Sequence, residues 1–140
     1  MKERVIALGF FDGVHLGHGA LLRRAAEEAA LRGCTPAVFT FDRPPKEVVT
    51  GVPCPLINSP EDRRDLVRRL YRIQDVLMVP FDREMMTTPW DDFIVRILVG
   101  RYHAVHLVAG HDHHFGHRNQ GTPELLAQKC AQLGLGCDII

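Results

Sequence analysis

The chain has 140 residues, enough for one domain with a true core and too few for two comfortable ones. Its hydrophobic fraction of 46% and charged fraction of 24% are ordinary for a globular protein in water. Basic and acidic residues balance, 17 against 17, so the basic excess expected of a nucleic-acid or membrane-surface binder is missing.

In chain order, "RVIALGFF" is a short apolar run that reads as a buried first strand. It leads into Asp12 and His15 with no small-residue cleavage site, so it is not a signal peptide. A helical pattern follows from Gly17 to Arg32, with Leu21, Leu22, Ala25, Ala29 and Leu31 on one side and Gly33 as its stop. "TPAVFTF" is a second strand, and "DRPPKEVVTGVPCP" reads as a loop. Ser59-Pro60-Glu61-Asp62 has the composition of a helix start, and Leu66, Val67 and Leu70 form the apolar face of that helix. The basic run "RRDLVRR" reads as its solvated side, paired with Glu61, Asp62 and Asp65. "DVLMVPF" is a third strand. Thr88-Pro89-Trp90-Asp91 repeats the cap-and-proline pattern ahead of Phe93, Ile94, Ile97 and Leu98. Met85, Met86 and Trp90 read as packing residues in preference to a ring lining. "AVHLVAG" is a fourth strand, Thr122-Pro123-Glu124 opens a last helix with Leu125, Leu126 and Leu133, and "LGCDII" begins a fifth strand.

Strands alternating with helices predict an α/β fold with a doubly wound parallel sheet. Ligands of such sheets bind beyond the C-terminal strand ends, where strand order reverses. The ends of the first, second and fourth strands (Gly9 to Asp12, Phe41 and Asp42, Gly110 to Asp112) are therefore expected to converge. Cys34, Cys54, Cys130 and Cys137 have no Cys-x-x-Cys spacing and read as reduced, mostly buried thiols of a cytoplasmic protein. No apolar run reaches membrane-spanning length.

The stretch "GFFDGVHLGH", residues 9 to 18, joins the first strand to the first helix. Glycines leave room for a ligand against the backbone, and a helix N-terminus offers unpaired N–H groups to an anion. His15 and His18 sit three apart across the helix start, so both imidazoles can face one phosphate group. "HDHHFGH", residues 111 to 117, has the residue types of a zinc or nickel site. Consecutive neighbours seldom all reach one ion, so a solvated loop or a ligand-contacting loop is the better reading.

The first stretch resembles the G-x-F-D-x-x-H-x-G-H motif of the HxGH nucleotidyltransferases, and "FDGVHLGH" is most similar to bacterial FAD synthetases, whose N-terminal module is an FMN adenylyltransferase. "FTFDRPP" lies where that family has T-F-D-P-H-P, and "LVAGHDHHFGHRNQG" resembles its G-x-D/N-F-x-F-G-x-x-x-x-G loop. "LINSPEDRRDLVRRL" and "VPFDREMMTTPWDDFIVRILVGRY" resemble the segments between, so the resemblance covers the whole chain in order.

The resemblance implies a Rossmann-like doubly wound sheet over residues 1–140. It also implies transfer of AMP from ATP to FMN, giving FAD and pyrophosphate. Its substrates would be ATP with Mg²⁺ and FMN or riboflavin, with neither nucleic acid nor membrane as partner. His15 and His18 would be catalytic. Gly9, Phe10, Phe11, Asp12 and Gly17 would serve ATP. Phe41, Asp42, Arg43, Asp112, His114, Phe115 and Gly116 would serve the flavin, with no direct protein metal ligand. The chain departs from the family at Arg43 and Pro44, where the usual Pro and His are replaced. The family continues into an S-S-T-x-x-R segment and usually a riboflavin kinase domain, whereas this sequence stops within its fifth strand, so the domain is expected to be incomplete. Two alternatives stay open: another phosphorylated acceptor, or flavin or nucleotide binding without catalysis.

Overall fold

The computed structural model describes residues 2–11, 16–53 and 59–140, and for Leu16 and Gly17 only the backbone. Five strands form one parallel sheet: β1 (Arg4–Leu8), β2 (Thr35–Phe41), β3 (Asp75–Val79), β4 (Ala104–Ala109) and β5 (Gly136–Ile139). Their order is β3-β2-β1-β4-β5. The chain winds outward from β1 in one direction to β3, then returns to β1's other side for β4. The reversal point thus falls between β1 and β4, as the doubly wound expectation requires.

Alternation along β1 separates two cores. Val5 and Ala7 pack with Leu21, Leu22, Ala25 and Ala29 of α1 (Leu16–Arg32) and Val67 of α3 (Pro60–Tyr71). Ile6 and Leu8 face the other side, with Phe39, Phe93, Ile94, Ile97, Leu98 and Leu126. Side chains of a strand alternate between faces, and both faces here are covered, which explains the unbroken apolar reading of β1. The deepest of these side chains, such as Ile6, Leu22 and Leu126, each contribute roughly 1.5–3 kcal/mol on leaving water.

Ser59 and Thr122 cap α3 and α6 (Pro123–Leu133): their hydroxyls accept from the Asp62 and Leu125 N–H groups. Other local expectations need correction. The proline-rich loop contains a short helix, α2 (Pro45–Thr50), started by Pro45 and stopped by Gly51 at φ 73°. Thr88 is no cap; its hydroxyl donates to the Glu84 carbonyl, while Asp82 caps α4 (Arg83–Met86) through the Met85 N–H. The helix after it opens as α5 (Trp90–Asp92) and continues as a π-helix over Phe93–Arg101. Leu31, Leu70 and Leu133 are 78%, 59% and 40% exposed, outside the apolar faces assigned to them. Arg63 is 1% exposed, so the run "RRDLVRR" is not simply a solvated face. Cys34, Cys130 and Cys137 are free thiols, and Cys54 lies outside the described residues.

Candidate active site

β1, β2 and the loop after β4 end on one edge of the sheet, and a cavity of ≈ 210 Å³ opens there. Leu8, Phe39, Met85, Phe93 and Phe115 make its buried floor. Phe41 and Phe81 add a wall, packed edge to face with centroids 4.8 Å apart. Gly9, Phe10, His113, His114, Gly116 and Asn119 complete the lining around the mouth. Aromatic side chains and a glycine at the strand end are lining suited to an apolar, ring-bearing ligand.

The glycine has a local cause. A Cβ on Gly9 would stand 2.7 Å from the Phe11 ring, so a side chain here would displace that ring. Phe11 itself holds φ 60°, a backbone conformation costly for a non-glycine residue. This twist turns its ring away from the cavity into the core beneath α1. There it meets the His18 imidazole edge to face, with centroids 5.0 Å apart. Phe11 thereby orients the histidine on the first turn of α1. Along the chain, the cavity-lining Gly9 and Phe10 precede the N-terminus of α1 by a few residues.

Arg63 holds this edge from below. Its Nη1 donates to the Phe10 carbonyl at 2.9 Å and to Thr40 Oγ1 at 3.1 Å. Its Nη2 donates to the carbonyls of Phe41 at 2.9 Å and Asp42 at 3.3 Å. Thr40 Oγ1 donates in turn to the Phe10 carbonyl. The guanidinium carbon lies 4.1 Å from the centre of the Phe10 ring. One planar fork therefore ties the ends of β1 and β2 together and backs a ring that lines the cavity. The Asp42 carboxylate extends the tie by accepting from the Phe81 N–H at 3.1 Å.

The loop after β4 is pinned at several points. The His111 N–H and Nδ1 both lie within hydrogen-bond distance of the Ile140 carbonyl. The His117 N–H donates to the Thr88 carbonyl at 2.8 Å. Gly116 adopts φ 79°, and a Cβ there would stand 2.6 Å from the Trp90 backbone, so only glycine lets the loop close on α5. Phe115 and Gly121 pair across the loop base. His113 stacks on Phe115 with centroids 5.9 Å apart and planes at 16°. Burial lowers the His113 pKa from 6.5 to about 4, so the ring is neutral near pH 7.

The structure brings Gly9, Phe10, Phe41, His114, Phe115 and Gly116 around one cavity. Gly9 and Phe10, expected on the nucleotide side, share that cavity with the residues expected around the flavin. The Phe11 side chain is in the core, Arg43 and Asp112 are exposed, and Asp42 acts through the turn to Phe81. Asp12 and His15 lie outside the described residues, and Gly17 is described by its backbone alone. Met85, read as packing, also lines the cavity. Arg63, His113 and Asn119 had escaped sequence reasoning. For His113 a signal existed, since it stands where the quoted loop motif has Phe.

The histidines of the loop turn to different partners. His111 faces Ile140, His113 stacks on Phe115, and His114 Nδ1 lies 2.9 Å from the Asp112 carbonyl. Among the described residues, metal-type ligand atoms gather instead at Glu28, His106 and Asp138, within 4.8 Å of one another. Guanidinium groups already occupy both carboxylates. Arg24 bonds Asp138 at 2.8 Å and Glu28 at 2.6 Å, and Arg32 bonds Glu28 at 3.1 Å. His106 Nε2 lies 2.9 Å from Asp138. This is an ion-pair cluster joining α1, β4 and β5.

A sequence model of the FAD synthetase family matches residues 1–140. Proteins described as bifunctional riboflavin kinase/FMN adenylyltransferase are similar to the chain in Listeria monocytogenes (33% identity, 90% of this chain, 40% of that protein) and Escherichia coli K12 (35%, 96% and 42%). The Bacillus subtilis protein of that description is 34% identical over 86% of this chain and 38% of its own length. The chain thus spans about 40% of the length of these curated relatives. A crystal structure of a macrolide-efflux protein from Streptococcus pneumoniae superposes with TM-score 0.82 over 99% of this chain and 45% of that one. At 24% identity that likeness speaks for the fold alone. Among the described residues no helix is long and apolar enough to cross a membrane. With the family match running from the first residue to the last, this chain belongs to the FAD synthetase family.

Proposed function

We propose that residues 1–140 act as an FMN adenylyltransferase domain, transferring AMP from ATP to FMN to give FAD and pyrophosphate. The observation that carries this reading is a largely apolar, aromatic-lined cavity on the sheet edge where β1 ends and leads on toward α1. Its ≈ 210 Å³ lies below the roughly 300–1,000 Å³ of pockets that take whole ligands. It suits the isoalloxazine ring, with the ribityl phosphate lying outside and crossing Gly9 and Phe10 toward α1.

In this reading an oxygen of the FMN phosphate attacks the α-phosphorus of ATP in line. The new P–O bond forms as the bond to pyrophosphate breaks, with no covalent enzyme intermediate. The protein positions the two phosphates and stabilises the charge that spreads over them. The N–H groups of the first turn of α1 face the triphosphate. His18, oriented by Phe11, and His15 donate N–H groups to the phosphoryl oxygens. Arg63 keeps the β1 and β2 ends in register beneath the crossing point. Magnesium enters with ATP as the MgATP substrate. Asp42 and Arg43 stand beside the cavity mouth, and Asp112 lies in the loop carrying His113 and His114.

The test is FAD formation from FMN and MgATP by the full-length protein, followed by chromatography. His18→Ala is expected to slow turnover by roughly 10²–10³-fold, the effect of removing one preorganised donor. Unchanged turnover would remove His18 from its assigned role. AMP transfer to a different phosphorylated acceptor, or flavin binding with no transfer, would overturn the reaction itself.

A further inference from the structure

Among the described residues, three polar side chains line the cavity: His113, His114 and Asn119. His114 and Asn119 are exposed, and His114 Nδ1 is already at the Asp112 carbonyl. His113 differs on both counts. Its ring is largely withdrawn from solvent, stacked on the buried Phe115, and neither nitrogen bonds to a described residue. The half-buried ring lines the cavity that the ligand is to fill, where water is the partner left to it. A ring entering the slot strips that water away, and an imidazole left without a partner opposes binding.

We infer that His113 is a specificity-determining residue, which selects a ring ligand carrying a polar edge by hydrogen-bonding to that edge inside the cavity. This rests on the flavin reading above and deepens it. A neutral imidazole presents one N–H donor and one lone-pair acceptor, and its tautomer follows the partner it meets. Burial keeps the ring in that neutral form near pH 7. The isoalloxazine system is chemically two-ended: a dimethylbenzene edge with no polar atom, and an imide edge with two carbonyls and one N–H. The floor of Leu8, Phe39, Met85 and Phe93 suits the first end. His113 supplies what the second requires. A site built to pair with a polar edge discriminates strongly against an analogue that lacks it, because the protein's own polar atom is then stranded.

The experiment titrates FMN and N3-methyl-FMN into the full-length protein and into His113→Phe and His113→Gln, reading flavin fluorescence. His113→Phe is expected to weaken FMN binding roughly 3–10-fold, the worth of a neutral hydrogen bond. His113→Gln, which keeps a donor and an acceptor, should restore most of it. N3-methylation should weaken binding to the unmodified protein by a similar factor and hardly affect His113→Phe. Thermal melts guard against misfolding, and His113→Phe should melt no lower than the parent. Equal FMN affinity of parent and His113→Phe overturns the assignment while leaving the flavin reading intact. An equal methylation effect in both proteins does the same. Failure of the parent to bind FMN at all overturns both.

Discussion

Two charged assemblies tie this molecule together, one partly exposed and one buried, and their described partners differ in kind. Around His106, two carboxylates meet two guanidinium groups, so charges cancel at short range. Around Arg63, the partners supplied by described residues are three backbone carbonyls and one hydroxyl, all neutral. The first assembly sits at the β4–β5 side of the sheet and joins α1 to both strands. The second sits at the strand ends, under the cavity. Cancelled charge cements packing and projects little field. A planar fork spread over backbone oxygens fixes the positions of the strand ends. Placement and chemistry agree in both cases.

The sharpest challenge to this contrast is Arg63→Met. It leaves the carbonyls of Phe10, Phe41 and Asp42 short of a donor in a buried place. The expected cost is about 3 kcal/mol of stability by urea denaturation. A roughly 10²-fold loss in kcat/KM for FMN should accompany it, since both strand ends move. Arg63→Lys should recover only part, because an ammonium lacks the planar fork. A methionine variant as stable and active as the parent would remove Arg63 from its role.

A pH scan separates the two regions. His113 is held well below its ordinary value, so between pH 6.5 and about 4 the unfolded chain binds the extra proton. Stability therefore rises with pH across that window and falls on acidification, by an amount on the order of 3 kcal/mol. His113→Phe should flatten this part of the profile in thermal melts. Asp138 behaves differently. Burial raises its pKa, but hydrogen bonds from Arg24 and His106 outweigh burial and leave it below 3.8. Its contribution is fully present above that ordinary value and is lost only as pH falls through the lower folded value. Loss of stability in His113→Phe already at pH 5 would contradict the split.

The smallest expected effect is Asp138→Asn, about 1 kcal/mol, because the carboxylate is 27% exposed and solvent screens it. FAD formation per folded molecule should stay unchanged. A catalytic defect exceeding the stability loss would show that the ion-pair cluster reaches the site.

Legibility in the sequence varied by the range of the forces involved. β2 lies over Thr35–Phe41 as its apolar run implied, and the Ser59 and Thr122 caps are real because capping is settled within three residues. The α2 helix carried its own signals, Pro45 at the start and Gly51 just beyond the end, but its neighbouring prolines masked them. Thr88 failed as a cap because Glu84, one turn back, offered its hydroxyl a carbonyl first. The π-helix was not legible, since Phe93, Ile94, Ile97 and Leu98 share a side under either winding.

The candidate site divides in the same way. The glycines, the paired histidines and the loop at 110–121 are local signatures, and the topology brings the described part of them to one edge of the sheet. Arg63 could not be found so. Its role depends on oxygens from residues 10 and 40–42 meeting a helix more than twenty residues further on. His113 likewise became distinct from His111, His114 and His117 only by stacking on Phe115 within an apolar slot. Period, capping and motif spacing are written into neighbouring residues. Burial, pKa and the sharing of one cavity by two expected subsites belong to the folded chain, because they depend on which distant atoms exclude water from each other.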